Sequence, residues 1–216
     1  MMVSCNKVDP NAKSEGTMTH DEYIAAAIND AVVIEGFVQG KQSWWENKAS
    51  IYLQDGTGGY FVYNMTCSEE EYNKLTVGTK IKVTGYKAEW NGEIEVDAGC
   101  TFEFAGEDKW VAKPTDVTSL LGKDELIKKQ NMFVSFKGMK VESISFNGGA
   151  AGDDIYVNVS KDGKEYSFCV EMYLTGPDTD VYKAVSALKT GDVIDIEGFL
   201  YWWKGPNTHI TKVTVK

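Results

Sequence analysis

Val77-Gly78-Thr79-Lys80-Ile81-Lys82-Val83-Thr84-Gly85-Tyr86 alternates apolar and polar residues between two glycines, and Trp90 and Gly92 follow it. A second stretch, Gly191-Asp192-Val193-Ile194-Asp195-Ile196-Glu197-Gly198-Phe199, has the same order and is followed by Trp203 and Gly205. Each stretch predicts a strand, a loop with a tryptophan at its tip, and another strand. Such a repeat indicates two copies of one unit, and the 216-residue chain is long enough for both.

The elements predicted around this repeat follow the same order in both halves. The first half has strands at 32–38, 51–54 and 60–63, a short helix that begins at a Ser68–Glu71 capping box, and strands at 80–83 and from 93, with 101–104 as the expected continuation of the last strand past Gly99. The second half has strands at 133–141, 155–159 and 166–170, a helix within 178–188, and strands at 193–196 and 210–215. Another capping box, formed by Thr19 and Glu22, predicts a helix before the first strand.

This order resembles the OB-fold, a five-stranded Greek-key barrel with a short helix between strands three and four. Glycines at equivalent places in the first strands, Gly36 and Gly138, agree with the resemblance. It implies a mainly β protein made of two tandem OB-fold barrels. The implied division is a tether over 1–18, a helix and first OB-fold over 19–104, a connector with a short helix over 105–130, and a second OB-fold over 131–216. Within the connector, 113–116 predicts a turn around a proline.

The charge of the chain bears on its partners. The formal net charge is −10, and all 22 basic residues are lysine. Arginine supplies the planar fork that grips phosphate at two points, and nucleic-acid affinity comes mainly from neutralising phosphates. The composition therefore makes nucleic acid the less favoured partner.

The amino terminus carries a pattern of its own. Met2-Val3-Ser4-Cys5 resembles the end of a bacterial lipoprotein signal, and a polar stretch with the composition of a tether follows it. The likeness to uncharacterised exported lipoproteins of bacteria implies that Cys5 is lipidated. It also implies a cell-envelope location, with the membrane reached only through that anchor. The alternative is a cytoplasmic protein whose amino-terminal end is frayed.

Patterns typical of catalysis are sparse. His20 and His209 lie outside any recognised catalytic or metal-binding spacing, and we interpret both as surface residues. Glu93 and Glu95 alternate along a strand, which is typical of a solvated face. We therefore expect no catalytic residue, no metal site, no cofactor and no enzyme activity. The three cysteines of the predicted domains are expected to be buried as small apolar residues: Cys67, Cys100 and Cys169.

The aromatic residues are the stronger candidates for function. In OB-folds the ligand contacts strands two and three and the loops one–two and four–five, and an aromatic face can stack on a sugar ring, a base or a proline. The alternative is that these rings close the barrel ends or pack between the domains. The candidate ligand-binding residues are Trp44, Trp45, Tyr60, Tyr63, Lys87, Trp90, Tyr201, Trp202, Trp203 and Lys204.

These observations predict a non-catalytic binding or adapter module whose ligand is a glycan or a protein. The alternative is a single-stranded nucleic-acid-binding OB-fold protein, which requires a local basic stripe. Lys41, Lys48 and Lys87, beside the tryptophans of the first domain, are the residues that could form it.

Overall fold

Two five-stranded barrels, one in each half of the chain, make up the computed structural model, which describes residues 8–216. Cys5 lies outside the described residues, so its lipidation stays a prediction. The first half contains α1 (His20–Ala25), β1 (Ala31–Lys41), β2 (Lys48–Gln54), β3 (Gly59–Thr66), α2 (Glu69–Lys74), β4 (Thr79–Trp90), β5 (Glu93–Val96) and β6 (Thr101–Lys109). The second half contains β7 (Thr115–Asp116), β8 (Phe133–Phe146), β9 (Ile155–Lys161), β10 (Lys164–Val170), α3 (Asp180–Ser186), β11 (Val193–Phe199) and β12 (His209–Val215). Short 3₁₀ helices span Thr118–Leu120, Asp124–Lys129 and Asn147–Gly149.

Both sheets close on themselves in the same order. The first runs β1-β2-β3-β5-β4 and closes because β4 also pairs with β1. The second runs β8-β9-β10-β12-β11 and closes through β11 and β8. In each barrel the third and fifth strands pair in parallel, and the other pairs are antiparallel. The structure is therefore mainly β with two tandem barrels of OB type, as the repeat predicts.

Strand alternation builds the two cores. Ile51 and Leu53 of β2 point into the first barrel, where they are fully buried, and Tyr52 between them points outward. Val157 of β9 and Phe168 of β10 fill the second barrel in the same way. Each such buried side chain stabilises the fold by about 1.5–3 kcal/mol.

Both predicted capping boxes are present. The Thr19 hydroxyl accepts a hydrogen bond from the Glu22 backbone N–H, and the Glu22 carboxylate accepts one from the Thr19 N–H. Ser68 and Glu71 make the same reciprocal pair at the start of α2. The helix predicted within 178–188 is α3, which begins after the cap Thr179. None of the helices in residues 8–216 is long and apolar enough to cross a membrane.

The segments beside the barrels include one prediction that is confirmed and one that needs correction. The predicted continuation of the fifth strand past Gly99 is confirmed: after Val96 the chain turns through Gly99, at φ 82°, and β6 continues along the edge of β4 that β5 begins. The expected turn at 113–116 instead contains β7, which pairs in parallel with β8. Within the segment expected to be a tether, the ammonium group of Lys13 lies 2.7 Å from the buried carboxylate of Asp55.

Candidate ligand-binding groove

The outer face of β2 and β3 in the first barrel is covered by the second domain. The ring of Tyr52 stacks on Phe199 with centroids 4.2 Å apart and planes within 8°. The Tyr52 hydroxyl lies 2.8 Å from Nδ1 of His209, and Phe61 meets the ring of Tyr201 edge-on at 5.4 Å. These contacts form a small apolar cluster between the barrels, which makes the junction a packed interface.

Polar contacts align the two domains around the β4–β5 hairpin. The backbone N–H of Trp202 donates to the Glu93 carboxylate at 2.8 Å. The Gln130 side chain, at the end of the connector, bonds to the backbone of Gly92 and Ile94 at 2.8 and 3.2 Å. The tips of both loops four–five are therefore held against each other, and the rings of Trp90 and Trp203 lie 6.2 Å apart.

Three adjoining cavities run along this junction, and we call them together the junction groove. Glu171 lines all three, Tyr201 and His209 line the first and second, and Gln42 and Tyr63 line the second and third. The first compartment, of about 620 Å³, lies on β9 and β10 of the second barrel. The middle compartment, of about 460 Å³, lies between the domains. The third, of about 400 Å³, lies at the loop one–two of the first barrel.

The first compartment occupies the face where OB-folds bind ligands. Tyr156, Ser167 and Cys169 point outward from β9 and β10 because their neighbours Val157 and Phe168 fill the core. The loop that carries Tyr201, Trp203 and Pro206 forms the other wall. This face is thus open in the second barrel and covered in the first.

The candidate aromatic residues divide between the groove and the protein interior. Trp45, Trp90 and Trp203 line the groove with 65%, 58% and 45% of their surface exposed, and Tyr63 lines it with 41% exposed. Tyr201 lines it while half-buried. Both roles considered from the sequence, packing and exposure, therefore occur.

Trp44 and Trp202 each pack on the core of their own barrel; Trp44 also lines the groove, and Trp202 also contacts the other domain. Trp44 lines the third compartment, packs on the first core and donates from Nε1 to the Cys67 carbonyl at 3.1 Å. Trp202 packs on the second core and lies against Gly92 of the first domain, where an added Cβ would stand 2.8 Å from its ring. Trp202 therefore holds the junction together and does not line the groove.

Three other candidates lie away from the groove. Tyr60 points into the first core, is fully buried and donates to Asp55 at 2.7 Å. Lys87 is buried, and its ammonium group donates to the carbonyls of Ile24 and Ala26 at 2.7 Å each. Lys204 is exposed beside Trp203, with Nζ 6.0 Å from the ring centroid.

The basic stripe considered for nucleic acid does not assemble. Lys41 donates to the Tyr72 carbonyl at 2.5 Å and lies over the Tyr72 ring, and Lys87 is bound inside the first domain. Among the three lysines, only Lys48 lines the groove, in its third compartment. The groove therefore offers little charge to neutralise phosphates.

The groove is instead lined by carboxylates from both domains. They are Glu95 and Asp97 of the first domain, and Asp154, Glu165 and Glu171 of the second. Burial raises the pKa of Glu95 to about 7, with a further contribution from Asp97. Burial likewise raises the pKa of Glu171 to about 7 and that of Asp154 above its ordinary range. The groove is therefore acidic, and burial makes the ionised forms of these three carboxylates less favourable than they are in water.

Four polar residues that were expected at the surface are buried. Glu93 and Glu95 do not form a solvated face: they are 0% and 7% exposed because the second domain covers β5. His209, expected on the surface, is buried at the junction between Tyr52 and Tyr201, and burial lowers its pKa to about 3. His20 is buried edge-on against Tyr60 at 5.2 Å.

The remaining predictions about chemical groups concern thiols and metals. The three cysteines of the described residues are free and buried, as expected: Cys67, Cys100 and Cys169. Across residues 8–216, no cluster of three or more His, Cys, Asp or Glu side chains is arranged to hold a metal ion.

Comparison with known proteins adds structural similarities of low identity. No protein-family model and no curated protein match the sequence. Among solved structures, the hypothetical protein ygiW from E. coli is 13% identical to this chain. The match spans 41% of this chain and 89% of ygiW, with a TM-score of 0.30. The Ifi202 HINa domain in complex with 20-bp double-stranded DNA is 13% identical, with 87% and 98% covered and a TM-score of 0.39. A replication protein A heterotrimer bound to single-stranded DNA is 10% identical, with 87% and 49% covered and a TM-score of 0.35. Similarities at this level carry no weight for the ligand of this chain.

Proposed function

We propose that the chain is a non-catalytic binding module that takes an extended glycan, uncharged or cationic, in the junction groove. The observation that carries the proposal is the continuity of the groove. Its three compartments share Glu171 and place exposed rings of both domains along one path. An extended ligand with a flat apolar face at each repeat would meet Trp45, Tyr63, Trp90 and Trp203 in turn.

The polar lining supports a ligand rich in hydroxyl groups. An ionised carboxylate offers only acceptors, and a sugar hydroxyl donates. The amide of Gln42 adds a donor, and His209, neutral because burial lowers its pKa, adds a polar ring edge. Aromatic walls with a few placed polar groups are typical of small-molecule and oligomer sites, and the ligand-binding face of OB-folds accepts oligosaccharides as well as oligonucleotides.

Single-stranded nucleic acid is the second candidate, because the exposed rings of Trp90 and Trp203 could stack on bases equally well. The charge of the groove opposes this candidate. Five carboxylates line it against one lysine, Lys48.

The two candidates separate in one binding experiment. A glycan array and a 12-nucleotide oligo(dT) at low salt are presented to the chain. The bound glycan is then titrated against Trp90→Ala and Trp203→Ala. Each variant is expected to bind about tenfold more weakly, roughly 1.4 kcal/mol for the loss of one stacked ring. Tyr86→Ala is the matched control, because Tyr86 is 62% exposed and lies outside the groove.

The outcomes have clear consequences. Binding of oligo(dT) with no signal on the array would reject the glycan proposal in favour of nucleic acid. Incubation of the bound glycan with the chain, followed by analysis for shorter products, checks the non-catalytic part. Appearance of such products, and their loss in Glu95→Gln or Glu171→Gln, would make the groove an active site.

The cell-envelope location implied by Cys5 is part of the same proposal, since export brings the groove to extracellular glycans. The test is fractionation of bacteria that express the protein with its native upstream sequence. Wild type is expected in the membrane fraction and Cys5→Ala in the soluble fraction. An identical distribution of both would remove the lipid anchor from the proposal.

A further inference from the structure

We infer that the middle compartment of the junction groove is a specific site for a protonated amino group carried on the glycan, with Glu95 as its main partner. This inference rests on the proposed function and sharpens it, because it selects amino sugars over neutral sugars. Glu95 is 7% exposed and lines the compartment. Within residues 8–216 its carboxylate has no hydrogen-bond or ion-pair partner, and only burial and the nearby charge of Asp97 act on it.

The contrast with Glu171 shows what Glu95 lacks. The Glu171 carboxylate also lines the compartment and is buried, but it accepts hydrogen bonds from the Gln42 side chain at 3.0 Å and from the N–H groups of Tyr173 and Leu174 at 3.1 and 2.9 Å. Its acceptors are thus partly satisfied by the protein. A buried carboxylate without such partners costs stability, and a group of this kind in a cleft is a candidate for contact with a ligand.

The surroundings of Glu95 are suited to a cation. Three of the nine lining residues carry carboxylates, and none of the nine is a lysine. His209 adds no positive charge, because its ring is buried and neutral. A cation that enters the compartment would therefore meet no competing positive charge and would favour the ionised form of these carboxylates, at a place where the low local dielectric strengthens the attraction.

The aromatic walls favour an organic ammonium group over a metal ion. Tyr63 and Trp90 line the same compartment, and ring faces attract ammonium groups through cation–π interactions. Metal ions of the oxygen-binding type prefer a shell of six or more oxygen ligands or water. The groove continues in both directions along further rings, so the amine is best carried on a repeating, ring-bearing polymer such as a glycan.

A matched series of oligosaccharides tests the inference. Hexamers of β-1,4-linked glucose, N-acetylglucosamine and glucosamine share a backbone and differ at C2 in a hydroxyl, an acetamido or an amino group. By calorimetry, the glucosamine hexamer is expected to bind about tenfold more tightly than the glucose hexamer, as one charge-assisted contact provides. Glu95→Gln should remove this preference, so that the variant binds the glucosamine and glucose hexamers with affinities within about twofold of each other.

Controls separate a local contact from general charge. Glu89→Gln removes the same charge from the same hairpin at an exposed position and should keep the preference. Glu95→Asp retains the charge and should keep part of the preference for the glucosamine hexamer. This variant distinguishes loss of the charge from misfolding as the reason for a change in Glu95→Gln.

The possible results distinguish failure of the amine site from failure of the proposed function. Equal binding of the three hexamers, weakened by Trp90→Ala, would overturn the amine site and leave the glycan groove intact. Failure of all three hexamers to bind would count against both. Tighter binding of pentalysine than of the glucosamine hexamer would assign the site to a peptide and overturn the glycan source.

Discussion

Replacing Tyr52 by phenylalanine removes one hydroxyl group from the centre of the domain junction. The Tyr52 side chain is fully buried, and its hydroxyl lies 2.8 Å from Nδ1 of His209 in the other barrel. Burial lowers the pKa of His209 to about 3 and raises that of Tyr52 well above its ordinary value. At neutral pH both groups are therefore uncharged, and the imidazole tautomer decides which of the two donates the hydrogen bond.

The structure sets the size of the expected effect. The ring stack of Tyr52 on Phe199, at 4.2 Å, is kept by phenylalanine, so the packing contribution is unchanged. What is lost is a neutral hydrogen bond whose remaining partner stays buried, at a cost of about 1–3 kcal/mol. For a chain of this length each kcal/mol lowers Tm by roughly 2–4 °C. The variant is therefore expected to melt about 2–12 °C below wild type.

Urea unfolding and scanning calorimetry measure the effect. Tyr86→Phe is the control, because Tyr86 is 62% exposed and its hydroxyl has no partner in the described part of the chain. A double-mutant cycle with His209→Phe, which retains a ring against Tyr201, isolates the contact. If Tyr52→Phe matched Tyr86→Phe to within about 0.5 kcal/mol, the hydrogen bond would not stabilise the junction.

The buried carboxylates and the β4–β5 hairpin give two further predictions. Burial raises the pKa of Glu95 from 4.5 to about 7, so the folded state binds a proton more tightly than the unfolded state, and stability should fall as pH rises from about 4.5 to 7. Denaturant titrations across this range should show that the free energy of unfolding falls less steeply with pH in Glu95→Gln than in wild type. The other titratable groups of the compartment are the same in both proteins: Asp97, Glu171, Tyr201 and His209. The same pH dependence in both proteins would mean that Glu95 is not desolvated. Gly92→Ala should destabilise the protein by about 1–3 kcal/mol more than Gly99→Ala, because both have positive φ (94° and 82°) but only Gly92 faces Trp202. Equal melting temperatures of the two variants would show that Trp202 does not pack tightly on the hairpin.

The barrels could be predicted from the sequence because their signals are local. Alternating strands, two capping boxes and the repeated glycine–tryptophan pattern each depend on residues close along the chain. Their agreement in both halves specified the strand order. The continuation of strand five into β6 could be predicted for the same reason, because Thr101–Phe104 resumes the alternation after the turn at Gly99.

The junction could not be predicted in the same way, because an alternating strand has the same pattern whether its outer side faces water or another domain. Glu93 and Glu95 illustrate this, since the alternation that indicated a solvated face is intact in a covered one. One signal was available. Ile51 to Leu53 and Tyr60 to Tyr63 are continuous apolar runs, which indicate burial on both faces of a strand. Tyr52 and Phe61 are the outward members of those runs, and both contact the second domain.

The two copies of the fold use their equivalent surfaces differently, and this difference makes the groove. In the first barrel the face of β2 and β3 is covered by Phe199 and Tyr201 of the second domain. In the second barrel the equivalent face, on β9 and β10, stays open and lines the first compartment. The matched tryptophans Trp90 and Trp203 then meet across the junction, 6.2 Å apart. Neither barrel alone holds the middle compartment, since Glu95 comes from one and Glu171 from the other. Selectivity for an amine is therefore a property of the domain pair, and it should vanish whenever the junction opens, even if both barrels stay folded.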